Sequence, residues 1–445
     1  MDEWETNGEP WRTESEIDDE RKRVLNLRRS SIPDIETGRF PFAGMTLSRA
    51  DVEWLLATHR SGRWKSEWHE WNEGDMKRGL DVRGAMLVGI DLHRLPLYEL
   101  RGGLEANAWF TNDALHREQA AVKLRDADLS RARLQGSSLR SAHLEGANLQ
   151  YAHLEGISLR GAFLQGADLR AAFLDRATGL NNATLGDKTN GVVRVADVRW
   201  DDANLAVVNW TSIKQLGDEI VARRRKKAGG NKKDWTTRLE EFSAAVRANR
   251  QLSGALRTQG LNESADHFAY RAHILQRHVL LRQLLAAPSS FPIRAVVSGR
   301  KGWLLKALAL LGLLIAWLLT FPFRLHPWMR FRIVGAILLS LILGALSGHG
   351  YRPGRSLFAY LLVIAIFSLA FVCIAPAENI ILTPFGAVIL SVASFHGRGF
   401  FPGVSPGHDI ALDSPLAALA AFEAMIGLGI EVSLIATFSR RFFER

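Results

Sequence analysis

Apolar residues recur every five positions over a long central stretch of the chain. In LDVRGAMLVGIDLHRLPL the centres are Val82, Leu87, Leu92 and Leu97. The pattern breaks over 98–121 and then runs without error from Leu124 through Leu129, Leu134, Leu139, Leu144, Leu149, Leu154, Leu159, Leu164 and Leu169 to Leu174. Two residues before most of these centres stands a small residue, for example Ala127, Ala132, Ser137 and Ala142. A period of five fits neither a strand nor a helix, so each repeat must form one side of a coiled path. Large and small inward residues then stack in ladders, and neighbouring coils are needed to bury them. Weaker matches at Ala183 with Leu185 and Ala203 with Leu205 extend the path, and Trp200 and Trp210 are expected to close its end.

The flanking pattern is different. Residues 1–40 are polar, bury little, and are expected to form a disordered tail. Residues 41–79 hold a predicted helical cap, because Ser48 is a suitable N-cap and Val52, Leu55 and Leu56 follow at helical spacing. The insertion at 98–121 is predicted to be helical from Asp113, either as a cap or face filling for the first coil or as a surface excursion. From 212 to 290 the spacing becomes helical, giving a cytoplasmic connector of two amphipathic helices broken at Gly260. Seven basic residues from Arg223 to Lys233 lie at its start. They read as a membrane-facing joint or a solvated linker.

Beyond residue 300 the chain is dominated by uncharged apolar runs. Four are long enough to enter or cross a bilayer: Trp303 to Phe323, Phe331 to Ser347, Ser356 to Ala375 and Pro415 to Thr437. Residues 300–350 make either two spans or a re-entrant hairpin, since Arg324, Arg330 and Arg332 in their connection conflict with the positive-inside pattern. Thr383 to Phe395 is too short to cross and sits between the last two runs. Glu423 and Glu431 lie within the final run, where an ionisable group is costly and so a functional candidate. Gly427 and Gly429 between them are a hinge or a close-packing point.

Composition divides the chain rather than classifying it. The 445 residues carry a net charge of +10, much of it beside the apolar runs, so a lipid bilayer rather than nucleic acid is the expected partner. Outward positions from Lys123 to Arg176 carry eight Lys or Arg and six Asp or Glu. That mixed surface argues against mimicry of DNA. Cys373 is the single cysteine, which excludes an intrachain disulfide and a cysteine-based metal site. The start MDEWETNGEPW has no apolar h-region, so no signal peptide is expected. Both termini are placed in the cytoplasm and the chain in the inner (plasma) membrane as a multi-pass protein. No nucleotide loop, nucleophile motif or metal-spaced histidines are present, so neither catalysis nor a cofactor is expected.

The Ala-x-Leu pentads resemble the pentapeptide-repeat family. That resemblance implies a right-handed quadrilateral β-helix with four repeats per coil over 80–211, offering a surface to a protein partner. Leu252, Gly260, Ala265 and Phe268 resemble the helix pairs of tetratricopeptide repeats. Residues 355–445, through LSVASFHGRGFFPG, resemble the pore module of potassium-channel-like proteins. The resemblance places Ser394, Phe395, His396, Gly397, Arg398, Gly399 and Phe400 in a filter-like turn and implies a homotetramer. Arg398 in place of the family's tyrosine argues against potassium selectivity. The chain is thus expected to be multidomain: β-helix, α-helical connector and α-helical transmembrane pore-type domain. The functional expectation is an ion channel biased by its repeat domain; the alternative is a non-conducting, membrane-anchored interaction scaffold.

Overall fold

The structure is a computed structural model that describes residues 10–59, 79–226, 230–285, 353–378, 382–397 and 414–443, with scattered positions in 332–344. The chain divides into two compact units, Met1–Leu275 and Gln276–Arg445.

In the first unit the pentads wind into a stack of coils. Residues twenty apart in sequence pair in parallel, as in Lys123 with His143, Asp128 with Asn148, Arg133 with His153 and Ser138 with Ser158. Each leucine donates its N–H to the next coil, Leu124 to the carbonyl of His143 (2.8 Å), and each alanine closes a turn onto its own leucine, Ala127 to Leu124 (3.2 Å). The inward positions are the expected ones: Leu124 to Leu174 and Ala127 to Ala172 are all buried in one continuous core.

The expected right-handed quadrilateral β-helix requires correction. Among the described residues there is no β-strand; the coils are joined only by isolated single-residue bridges. The physical reason lies in the five-residue period. Two residues of each pentad form the turn, so bridging positions never become consecutive and no ladder develops. The turn residue two positions after each leucine from Leu124 to Leu169 is left-handed, from Asp126 (φ 56°) and Arg131 (58°) to Gly166 (73°) and Ala171 (55°).

The pairing survives irregular chain length. Paired residues are 37 apart across the insertion (Met86 with Lys123), 21 apart at Ser158 with Gly179, and 26 apart at Asp168 with Arg194. The insertion itself forms α3 (Ala106–Thr111) and α4 (Ala114–Ala120), the latter capped by Asp113, which accepts from His116 N at 3.0 Å. Trp109 of α3 donates to Ser141 Oγ at 3.1 Å and lies between the guanidinium groups of Arg117 and Arg160, so the insertion covers one face of the stack.

Both ends of the stack are closed by helices. At the start, α2 (Arg49–His59) sets Val52 and Leu55 into the same core as Leu80 and Val82. Residues 10–29, within the segment expected to be disordered, include α1 (Asp19–Arg29), whose Leu25 is wholly buried. The local reason is Glu53, itself buried, which accepts from the backbone N–H of Thr13 (3.0 Å) and Glu14 (3.0 Å) and from Arg49 Nε (2.7 Å).

At the other end α5 (Gly217–Arg223) precedes α6 (Trp235–Thr258) and α7 (Asn262–Leu285). Leu252, Leu256, Ala265 and Phe268 of this pair join the coil core. Trp210 is buried, its ring edge-on to Phe268 at 6.0 Å and to Trp200 at 6.5 Å. The last coil would leave backbone groups unpaired. Gln259 supplies both partners, accepting from Leu205 N (2.8 Å) and donating to Ala203 O (2.7 Å), and Gln251 accepts from Asp197 N (2.9 Å). Glu219 of α5, also buried, accepts from Arg223 (2.8 Å) and Arg271 (2.8 Å) and fastens the pair.

The second unit, over its described residues, holds α8 (Pro353–Ile374), α9 (Pro384–Phe395) and α10 (Pro415–Phe443). Two helices, Gly354–Ile374 and Pro415–Ile435, are long and apolar enough to cross a membrane, with mean hydropathy 2.8 and 1.8. The expected runs Trp303 to Phe323 and Phe331 to Ser347 lie largely outside the described residues.

Candidate functional site

Two places hold side chains with unmet or concentrated chemistry. The first surrounds α9. Thr383 caps this helix, accepting from Gly386 N at 3.1 Å, and Pro384 follows in the first turn, where its missing N–H is harmless. At the other end Gly397 (φ 63°) turns the chain out of the helix, its N–H bonded to Ser394 O at 3.0 Å.

Ser394 and Phe395 are buried. Phe395 packs with Ile364 of α8 and Ile430 of α10, and its ring is edge-on to Tyr360 at 4.8 Å. His396 is bracketed by the Glu431 carboxylate at Nδ1 and the Tyr360 hydroxyl at Nε2 (3.2 Å). One turn deeper, Ser391 Oγ lies within hydrogen-bond reach of the buried Glu423 carboxyl and of Ile364 O (3.2 Å), while Glu423 Oε2 has no partner. Gly427 is a close-approach point, since any Cβ there would collide with the Phe395 carbonyl; Gly429 faces open space. The structure therefore brings Phe395, His396, Glu431 and Gly427 together. Arg398, Gly399 and Phe400 lie outside the described residues.

This geometry corrects the ion-channel and ion-transport expectation. A filter needs backbone carbonyls turned toward a permeation axis. Here the Phe395 carbonyl packs against Gly427 of the same chain, and the Phe395 ring fills the space between α8 and α10.

The second place is a cleft of about 370 Å³ on the coil stack. His93 and Arg94 line it from one coil, Arg131 from the next, and Asn148, Gln150 and Tyr151 from the third. Its bordering carboxylates are already engaged. Asp91 is bonded by His93 (2.7 Å) and Arg49 (3.1 Å), Asp128 by Asn148 (3.0 Å), and Asp168 by Gln150 (3.0 Å) and Arg194 (2.7 Å). No carboxylate among the described residues pairs with Arg94 or Arg131; Arg131 instead lies 5.5 Å from the centre of the Tyr151 ring. Sequence reasoning missed this cleft: the five-residue count aligns Arg131 with Tyr151, but the 37-residue step across the insertion hides the alignment of Arg94 with Arg131. His143 and His153 stack separately, on Phe163 (4.9 Å) and Phe173 (4.5 Å).

Residues 123–161 and 137–176 match the pentapeptide repeat family, in eight copies. Among solved structures the chain is similar to Rfr23, a pentapeptide repeat protein from the cyanobacterium Cyanothece 51142, at 27% identity over 26% of this chain and 91% of that one, with a TM-score of 0.20. It is also similar to HetL, a pentapeptide repeat protein involved in heterocyst differentiation regulation in Nostoc sp. strain PCC 7120, at 28% identity over 28% of this chain and 50% of that one, TM-score 0.12. A pentapeptide repeat protein of the Arabidopsis thaliana thylakoid lumen matches at 15% identity over 34% of this chain and 86% of that one, TM-score 0.13. Scores this low carry no argument about shape. No curated protein matches. The matched repeats are those of a non-catalytic scaffold family, and among the described residues no group of three or more His, Cys, Asp or Glu could hold a metal ion.

Proposed function

We propose that this protein is a membrane-anchored interaction scaffold that does not conduct ions. One observation carries the reading: the two units expose opposite chemistry. The coil stack places leucine and alanine inside and a mixed-charge surface outside. Helices α8 and α10 leave Phe358, Leu361, Ile366, Phe422, Met425 and Val432 more than half exposed, an arrangement suited to lipid and unsuited to water. A protein partner docks on the stack, and the helices hold that partner at the bilayer. Placement in the inner membrane as a multi-pass protein with both termini cytoplasmic completes the reading. The homotetramer belonged to the pore reading, and the scaffold needs only a single chain.

The test uses the full chain. Its membrane fraction is washed with alkaline carbonate, and the purified protein is placed in a planar bilayer under a KCl gradient. Retention in the membrane with no unitary current is the expected result. Release by carbonate refutes anchoring, and steady unitary currents refute the non-conducting scaffold.

A further inference from the structure

The turn residues of the coil stack form columns, and one column is unlike the others. Arg94, Arg131, Tyr151, Ala171 and Asp197 succeed one another on stacked coils through bonds such as Arg94 N to Ser130 O (3.0 Å), Arg131 N to Gln150 O (2.8 Å) and Tyr151 N to Arg170 O (3.0 Å). All five are left-handed, with φ from 55° to 63°. Other columns place glycine in this conformation in at least one coil, as at Gly146 and Gly166, Gly136 and Gly156, or Gly161. A left-handed residue with a side chain costs about 1–2 kcal/mol. Here that cost is met repeatedly along one edge, where glycine would relieve it, and the side chains retained are two arginines and a tyrosine.

Those side chains converge on the cleft. Arg94 and Arg131 sit on neighbouring coils, whose backbones lie roughly 4.8 Å apart along the stack. Each is exposed and lacks a carboxylate partner, whereas Arg125, Arg170 and Arg194 nearby are each held by Glu145 or Asp168. Tyr151 stands half exposed at the end of the row. Such an edge presents planar donors in register and one aromatic face, which suits carboxylates spaced along an extended chain with an apolar or aromatic residue beside them. The carboxylates of Asp91, Asp128 and Asp168 are taken up by His93, Asn148 and Gln150 and do not compete for the two arginines, and an edge of two arginines is too short to track the continuous phosphate backbone of a nucleic acid.

From this geometry we infer that the Arg94–Arg131–Tyr151 edge is the docking site for an acidic, extended segment of a partner protein. The inference rests on the scaffold reading and names its surface and the partner's chemistry.

Detergent-solubilised full-length protein is titrated into a fluorescein-labelled peptide rich in glutamate and tyrosine, and fluorescence anisotropy is read. Arg94→Glu with Arg131→Glu weakens binding by at least about tenfold. Tyr151→Ala weakens it by about threefold. Arg176→Glu, the same charge change per site at an exposed arginine outside the cleft, leaves it unchanged. The milder pair Arg94→Gln with Arg131→Gln, checked for an unaltered thermal melt, guards against misfolding and must also weaken binding. The inference is overturned if wild type does not bind the peptide, if the double variants bind as wild type does, if Arg176→Glu loses as much, or if a DNA duplex competes better than free peptide. Carbonate retention and electrical silence are measured on the same preparation, so peptide binding can fail while the anchored scaffold stands.

Discussion

The coil stack and the helical unit both bury apolar side chains and differ in what they expose. In the stack, Leu149 and Ala152 are sealed inside and Arg131 and Tyr151 face outward. In the helical unit, Phe371, Phe395, Ile430 and the polar Ser391 and Glu423 are sealed inside, while Leu369 and Met425 face outward. Water as the surrounding solvent explains the first arrangement and lipid the second. The difference teaches that one hydrophobic fraction, 47% over the whole chain, describes neither half.

Single substitutions sharpen that contrast. The largest effect belongs to Leu149→Ala, which empties a fully enclosed site between coils and is expected to lower the unfolding free energy by about 3–5 kcal/mol. A denaturant titration checks it, and a loss below about 1 kcal/mol would mean that the stack is loosely packed. In the helical unit the same logic reverses. Ile366 is 55% exposed near the centre of α8, so Ile366→Ala is expected to be nearly neutral, whereas Ile366→Asp opposes membrane insertion by about 2.5–3.5 kcal/mol. Carbonate extraction reads this directly, and full retention of the Asp variant would argue against a lipid-facing α8.

The smallest effect concerns how the coil stack is closed. Asp197 accepts from Nε and Nη2 of Arg247 (2.9 Å each), and this hydrogen bond holds its carboxyl below the usual carboxylate range. A depressed carboxyl contributes stability above its unfolded value of about 3.9 and loses it as pH falls through the lower folded value. The pair is well exposed and screened, so the contribution is only about 0.5 kcal/mol. Thermal melts of wild type and Asp197→Asn should differ at pH 6 and converge as pH falls through the lowered folded pKa; a constant difference would assign the effect to packing.

Much of the stack was legible in sequence because its rule is local. A pentad states both its inward leucine and its turn, so Leu124 to Leu174 could be assigned without knowing what they touch. The closures were less legible. Glu53 and Glu219 look like ordinary surface carboxylates, and their burial depends on Thr13 and Arg271, distant in sequence. The same limit explains the filter reading. Gly397 and the apolar run before it have the right spacing for a pore turn, but the close approach of Gly427 to Phe395 fixes how the end of α9 packs, and spacing does not report it. The Arg94 and Arg131 edge fell between these cases. Only its step from Arg131 to Tyr151 was countable; the step from Arg94 across the insertion and the absence of partner carboxylates required the structure.

Paired positions 37, 20, 21 and 26 residues apart all advance the stack by a single coil. Distance along the chain is therefore not distance along the stack. The structure measures in completed circuits, and surplus residues are put out at the turns. An added loop at a turn would leave every column intact. Removing a single pentad between Arg131 and Tyr151 would instead rotate all later coils by a quarter circuit, keeping the core apolar while carrying Tyr151 away from both arginines.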